Sequence, residues 1–249
     1  MAVALLRATW LAVTCAMVLL SDGKGSKFLR YLNDVSYYGK LSSLQDKEHR
    51  ESDVLKRVYI GARTVWIAYY AWGFILNTFF VYTSASTSLI CLEVHLFRRL
   101  YESVFVTKFS ADRKEHPITI MIGLFFYSLV SVSFVEEERL LRDSGNDPSA
   151  LSGFRLVLIA FFFLSMACQH MAHVELASLR SMQQHSSVYV VPSGWLFRNV
   201  STCPHYTAEV MMALFHGLYF NCSWLILAFT VTNLSITAVR TRRWYRTLG

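Results

Sequence analysis

Residues 64–82 run for 19 positions without a charged side chain, and residues 118–135 do so for 18. At 1.5 Å per residue, each run forms a helix of about 27–29 Å, close to the ~30 Å hydrocarbon core of a bilayer. Backbone amides in hydrocarbon must be satisfied internally, which leaves helices or closed barrels as spanning forms. Long uncharged stretches without period-2 alternation select helices. The composition agrees: 54% of the 249 residues are hydrophobic and 16% are charged, against about 25% charged in soluble domains. The expected fold is therefore all-α, a polytopic membrane helix bundle of about six spans.

The other segments follow from the same criterion. Residues 2–20 are apolar apart from Arg7 and predict an uncleaved N-terminal span. Residues 21–57 are polar and charged and predict an extramembrane loop. The stretch 84–106 is apolar but carries Glu93, His95, Arg98, Arg99 and Glu102. Residues 107–117 and 136–153 read as polar loops. Residues 154–176 predict a span whose second half turns polar, and 181–205 a mixed loop with Pro192, Gly194 and Pro204. Residues 206–239 form 34 apolar positions interrupted by Glu209, His216 and Asn221. That is ~50 Å of helix, so it is either two helices broken near Asn221 or one long tilted helix. No repeat or low-complexity tract divides the chain, which reads as a single membrane domain over 1–249.

The net charge is +7, but the basic residues flank apolar runs, as at Arg98–Arg99 and Arg240–Arg246. That pattern signals membrane topology and headgroup contact rather than a nucleic-acid stripe. The C-terminal arginines point to a cytosolic end, to anionic-ligand binding, or to both. Five cysteines without a Cys-x-x-Cys read as buried apolar thiols. Sequons at Asn199, Asn221 and Asn233 lie in or beside apolar segments and are expected to remain unmodified.

An ionised side chain at a helix centre costs about 2.5–3.5 kcal/mol on insertion scales, so polar residues recurring at helical spacing need a reason. Three sets share a face within about 40–60° at 100° per residue: His95, Arg99 and Glu102; Gln169, His173 and Arg180; His205, Glu209 and His216. Any one set alone reads as side chains reaching for headgroups. Three together point to one polar, water-containing cavity between helices.

Several chemistries fall away. His170 and His173 form an H-x-x-H, but the remaining histidines do not cluster, so no metal site is expected. No G-x-G-x-x-G opens a βαβ unit and no Walker A motif exists, so neither a Rossmann domain nor a P-loop is expected. A serine nucleophile elbow is also missing. Arginines suited to phosphate beside apolar walls suited to a hydrocarbon chain suggest a phosphate-bearing cofactor meeting a lipid.

Four ordered segments carry a family resemblance. His95-Leu-Phe-Arg-Arg-Leu-Tyr-Glu-Ser103 resembles the H-x-x-R-R-L-[FY]-E segment of polyprenol reductases, and Gln169-His-Met-Ala-His173-Val-Glu-Leu-Ala-Ser-Leu-Arg180 resembles their Q-x-x-x-H-x-x-L-x-x-L-R. Tyr189-Val-Val-Pro192-Ser-Gly194-Trp-Leu-Phe197, with Val200-Ser201 and Pro204-His-Tyr206-Thr-Ala-Glu209, resembles a segment shared across steroid 5α-reductases. Arg243-Trp-Tyr245 resembles their basic-aromatic-Tyr end. The chain is thus similar to the steroid 5α-reductase family, in its polyprenol (polyprenal) reductase branch, with the related region at about 95–249.

The resemblance implies a seven-helix reductase of the endoplasmic-reticulum membrane that holds NADPH without a Rossmann domain. It places Arg98, Arg99, Gln169, His173, Arg180, Tyr189, His205, Glu209 and Tyr245 at or near the cofactor, and no metal. Gln169 and His173 stand where steroid-type members carry Asn and Asp, which favours a long-chain isoprenoid substrate. The implied reaction reduces the α-isoprene double bond of a polyprenol or polyprenal, feeding dolichol and N-glycosylation. His95, Tyr101 and Glu102 are the candidate proton donors or oxyanion partners. The alternatives are a steroid or enoyl-lipid reductase of the same fold, or an inactive truncated membrane protein, because the family continues beyond the position of Gly249.

Overall fold

The computed structural model describes residues 2–21, 60–84, 86–110, 114–115, 117–145, 152–183, 189–220 and 223–248. The polar loop expected over 21–57 lies almost wholly outside them, as do Asn221 and Cys222. The described elements are α1 (Ala2–Ser21), β1 (Ile60–Gly61), α2 (Ala62–Ser84), α3 (Thr87–Tyr101), a π-helical turn (Glu102–Val106), β2 (Lys114–Glu115), α4 (Pro117–Asp143), α5 (Gly153–Gln183), the short α6 (Trp195–Asn199), α7 (Pro204–Phe220) and α8 (Trp224–Tyr245). The strands are two residues each and pair antiparallel, Ile60 with Glu115 and Gly61 with Lys114. The architecture is an all-α membrane bundle, as expected.

Five helices, α1, α2, α4, α5 and α8, are long and apolar enough to cross a membrane. Their outward faces are apolar: Ile75, Met121, Val157 and Leu164 are each more than half exposed, which suits lipid and not water. The stretch 206–239 takes the two-helix form, α7 ending at Phe220 and α8 starting at Trp224. At 15 and 17 residues, α3 and α7 fall short of the length that marks a span. Among the described residues, five helices thus meet that length and hydropathy, beside the expected count of about six.

One expectation is corrected. Residues 136–143 are helix rather than loop, because α4 continues to Asp143. Two of their acids, Glu137 and Glu138, are buried and have partners inside the bundle. Glu138 pairs with Arg142 one turn on at 2.7 Å, the spacing at which a helix brings opposite charges together. Glu137 accepts a hydrogen bond from Ser223 at the start of α8. Counting charge alone marked these positions as solvent-facing; partners within reach keep them buried.

Two packing zones build the bundle. In the first, α1, α2, α4 and α8 gather aromatic rings around Trp10, Tyr69, Tyr70, Phe134 and Phe229. Trp10 Nε1 donates to Ser133 Oγ at 3.0 Å and fixes α1 against α4. Gly123 permits close approach of α4 to α2, since a Cβ there would meet the Tyr69 ring at 2.7 Å. In the second zone, α5 lies along α7, and Leu158, Phe162, Met212 and Phe215 form its core. Helix α3 packs on α2 and crosses α5, bridging the zones. Asn77 of α2 donates to the Leu89 carbonyl at 2.9 Å and to Glu93 at 2.6 Å, which holds the α2–α3 hairpin closed.

Candidate active site

Arg98 and Arg99 close the last turn of α3, and Glu102 follows three and four residues later. That spacing lets one carboxylate meet both guanidinium groups: Arg98 bonds one Glu102 oxygen and Arg99 the other. The Glu102 side chain is fully buried. It opens the π-helical turn, in which the Thr107 N–H donates to the Glu102 carbonyl at 2.7 Å. Such wider turns are frequent at functional sites. Ser103 Oγ donates to the Arg99 carbonyl at 2.8 Å and secures the junction.

Three other helices add to this pair. From α5, His170 Nδ1 lies 2.7 Å from Glu102 Oε1 and His173 Nδ1 lies 2.8 Å from Glu102 Oε2. Gln169, also on α5 and fully buried, accepts from Arg98 and donates through Nε2 to Glu209 of α7 at 2.6 Å. His205, at the start of α7, stacks near His173, with ring centroids 5.5 Å apart. From α2, the Tyr70 hydroxyl accepts from Arg99 Nε at 3.0 Å and Nη2 at 2.9 Å.

Two arginines thus face two carboxyl side chains. A paired, hydrogen-bonded set is the form in which ionised groups are tolerated away from water. The groups touch one another directly. Two buried nitrogens are left without a partner, Arg98 Nε and His205 Nδ1. Unpaired buried donors of this kind call for a further group at the site.

The structure sorts the sequence candidates. Arg98, Arg99, Glu102, Gln169, His173, His205 and Glu209 come together. His95 sits at the edge, with Nδ1 3.5 Å from Arg98 Nη2. Tyr101 turns outward, 49% exposed and packed on Phe105. Arg180 donates to the Lys108 carbonyl at 3.0 Å, beyond the cluster. Tyr189 and Tyr245 form a separate group with Trp244, the Tyr189 ring lying 4.5 Å from Trp244 and 6.2 Å from Tyr245. Beside them lies an open hollow of about 290 Å³ lined by Pro192, Phe197, Thr202, Arg242, Tyr245 and Arg246. Phe197 links this hollow to the ion cluster, its ring 6.5 Å from that of His205. His216 leaves its expected set: Nδ1 lies 2.5 Å from Ser88 Oγ, among Phe134, Phe162 and Phe215.

Tyr70 and His170 belong to the site although the sequence did not nominate them. Tyr70 carried no spacing signal, because its partner lies 29 residues away. His170 was legible only as half of an H-x-x-H. Both histidines of that pair turn to the Glu102 carboxylate. Gly194 opens the turn into α6, where its N–H donates to Glu175 Oε1 at 2.7 Å. A Cβ there would stand 2.0 Å from the Glu175 carboxylate, so a side chain at this position would have to displace it and its bond to the backbone.

Comparison with known proteins places this geometry. Polyprenal reductase 1 of Arabidopsis thaliana is 29% identical over 188 residues, covering 63% of this chain and 58% of that protein. The polyprenal reductase of Saccharomyces cerevisiae is 28% identical over 215 residues, covering 84% and 78%. That of Mus musculus is 28% identical over 175 residues, covering 66% and 52%. The chain thus spans less than two thirds of the Arabidopsis and mouse relatives' own lengths. The 3-oxo-5-alpha-steroid 4-dehydrogenase family model matches residues 114–248, which takes in α4 to α8 and leaves the Arg98–Glu102 turn just upstream. On that match, more than half of its length, the chain belongs to the 3-oxo-5-alpha-steroid 4-dehydrogenase family.

Proposed function

We propose that this chain is an NADPH-dependent reductase of the endoplasmic-reticulum membrane. It reduces the α-isoprene double bond of polyprenal, or of the polyprenol, in the formation of dolichol for protein N-glycosylation. One observation carries the reading: Arg98, Arg99, Glu102, Gln169, His173 and Glu209 converge from three helices of an apolar bundle on one hydrogen-bonded cluster. Similarity to polyprenal reductases over 84% of the chain supports the substrate class.

The residues present fit a dinucleotide. Arg98 Nε and His205 Nδ1 are buried and free to bond. Arg242 and Arg246 line the hollow beside Tyr245, where guanidinium groups suit phosphate. Phe197 and His205 connect that hollow with the cluster. Gln169, His173 and Glu209 would hold the end nearer the reacting carbons. NADPH supplies a hydride when bound. The protein orients that end, excludes water with the apolar walls of α5 and α7, and places cations where an enal oxygen gains negative charge. The exposed apolar faces of the helices suit the isoprenoid tail.

The test is complementation. Expressed in cells that lack polyprenal reductase, the chain should lower polyprenol and restore dolichol, read by mass spectrometry of total lipid. Stable membrane expression with no change in the polyprenol-to-dolichol ratio overturns the reading.

A further inference from the structure

His170 is set apart from the other groups of the cluster. Its Nδ1 bonds to the fully buried Glu102 carboxylate at 2.7 Å, yet the side chain is 41% exposed. A carboxylate only accepts, so Nδ1 carries the proton and Nε2 is the nitrogen left to face outward. Around it, the exposed face of α5 is apolar, with Met171 and Val174 open to the surroundings. On α3 and the π turn, Val94, Phe97, Tyr101 and Phe105 recur at helical spacing and are also exposed. Because His170 bonds to Glu102 where α3 meets the π turn, its outer nitrogen lies at the seam of two apolar faces. An imidazole on a lipid-facing helix surface is costly unless it serves a function.

We propose that His170 is the proton donor of the reduction, delivering its Nε2 proton to an α,β-unsaturated aldehyde that enters along the α3–α5 seam. This rests on the reductase reading above. In the overall step the β-carbon of the enal gains a hydride from the dihydronicotinamide, which is oxidised. The carbon–carbon π pair moves to form an enolate, and the α-carbon takes the proton from His170. The saturated aldehyde results, and His170, left neutral with Nδ1–H still on Glu102, is reprotonated from water. Glu102 holds the Nδ1 side of the ring and so fixes its orientation, in the manner of a carboxylate that orients a catalytic histidine. The charges facing this dyad are Arg98 and Arg99 of α3, His173 of α5 and, through Gln169, Glu209 of α7; His95 and His205 flank it. Tyr101 shares no bond with the cluster, and His170 takes the role that sequence spacing offered to it.

The full chain in lipid nanodiscs provides the test. His170→Gln should lower kcat for polyprenal on the order of 100-fold and leave the KM for NADPH within about twofold. Added imidazole should restore part of the turnover of His170→Ala. Wild-type kcat in His170→Gln overturns the proposal. A second readout needs no turnover: in its neutral form, the one left after proton delivery, His170 should appear by ¹⁵N-histidine NMR as the Nδ1–H tautomer, lost in Glu102→Gln. An Nε2–H tautomer, or one indifferent to Glu102→Gln, overturns the dyad even if the enzyme is active. A wild-type chain that binds NADPH but leaves polyprenal unreduced, with the tautomer as stated, overturns the reductase reading and this donor role with it while leaving the dyad standing.

Discussion

The half of the bundle built from α1, α2, α4 and α8 is held by closely packed aromatic rings, whereas the crossing of α3, α5 and α7 is held by charge. Trp10, Phe126 and Phe229 meet at 5.3–6.0 Å between centroids, and any of many apolar sequences of similar volume could do likewise. Glu102 bonds Arg98, Arg99, His170 and His173 at once, and no substitution leaves all four satisfied. The first region sets where the helices stand. The second fixes which atoms are presented between them. Stability and chemistry are therefore expected to separate when each is perturbed.

The largest effect should come from Glu102→Gln. It leaves two buried guanidinium groups without their counter-charge, a loss of about 3–5 kcal/mol when one partner of a buried ion pair is removed. Unfolding in mixed micelles checks it; a loss below about 1 kcal/mol would erase the contrast between the halves. Phe134→Ala, in the ring-packed half and 1% exposed, should cost about 3 kcal/mol through the cavity it leaves. The folded fraction should bind NADPH normally, which titration of the purified variant would show. Glu209→Gln and His173→Ala should do the reverse. Each should raise the Kd for NADPH about tenfold, or about 1.4 kcal/mol, with an intact fold by circular dichroism. Wild-type affinity in both variants would remove the cofactor assignment from the α5–α7 crossing. The smallest effect is expected from Trp72→Phe, which loses one bond to Ser128 at 2.9 Å. Such interhelical bonds average about 0.6 kcal/mol in membranes.

How much of this was legible differs by region in the same way. The uncharged runs gave α2, the apolar body of α4 and the break between α7 and α8, because length and hydropathy are local properties. The helical end of α4 was not legible, since Glu137 and Glu138 look solvated until Ser223 and Arg142 are known to face them. At the site, 100° spacing found the correct faces but not the correct heights. His216 shares the face of Glu209, yet seven residues place it about 10 Å further along the axis. There it meets Ser88. Arg180 stands equally far from His173 and reaches Lys108 instead. His170 flanks the face that was read and so escaped it, and Tyr70 reaches Arg99 from a helix on which no site residue was expected.

Helix α3 holds a consequence for how such a protein is made. Its four charged side chains with the following turn, Glu93, Arg98, Arg99 and Glu102, sum to zero. Both arginines find their opposite sign within one turn of the same backbone. The segment therefore brings its own neutralisation to the translocation machinery. It can leave water before Gln169, His173 or Glu209 has emerged from the ribosome, and the later helices then close around a pairing already formed.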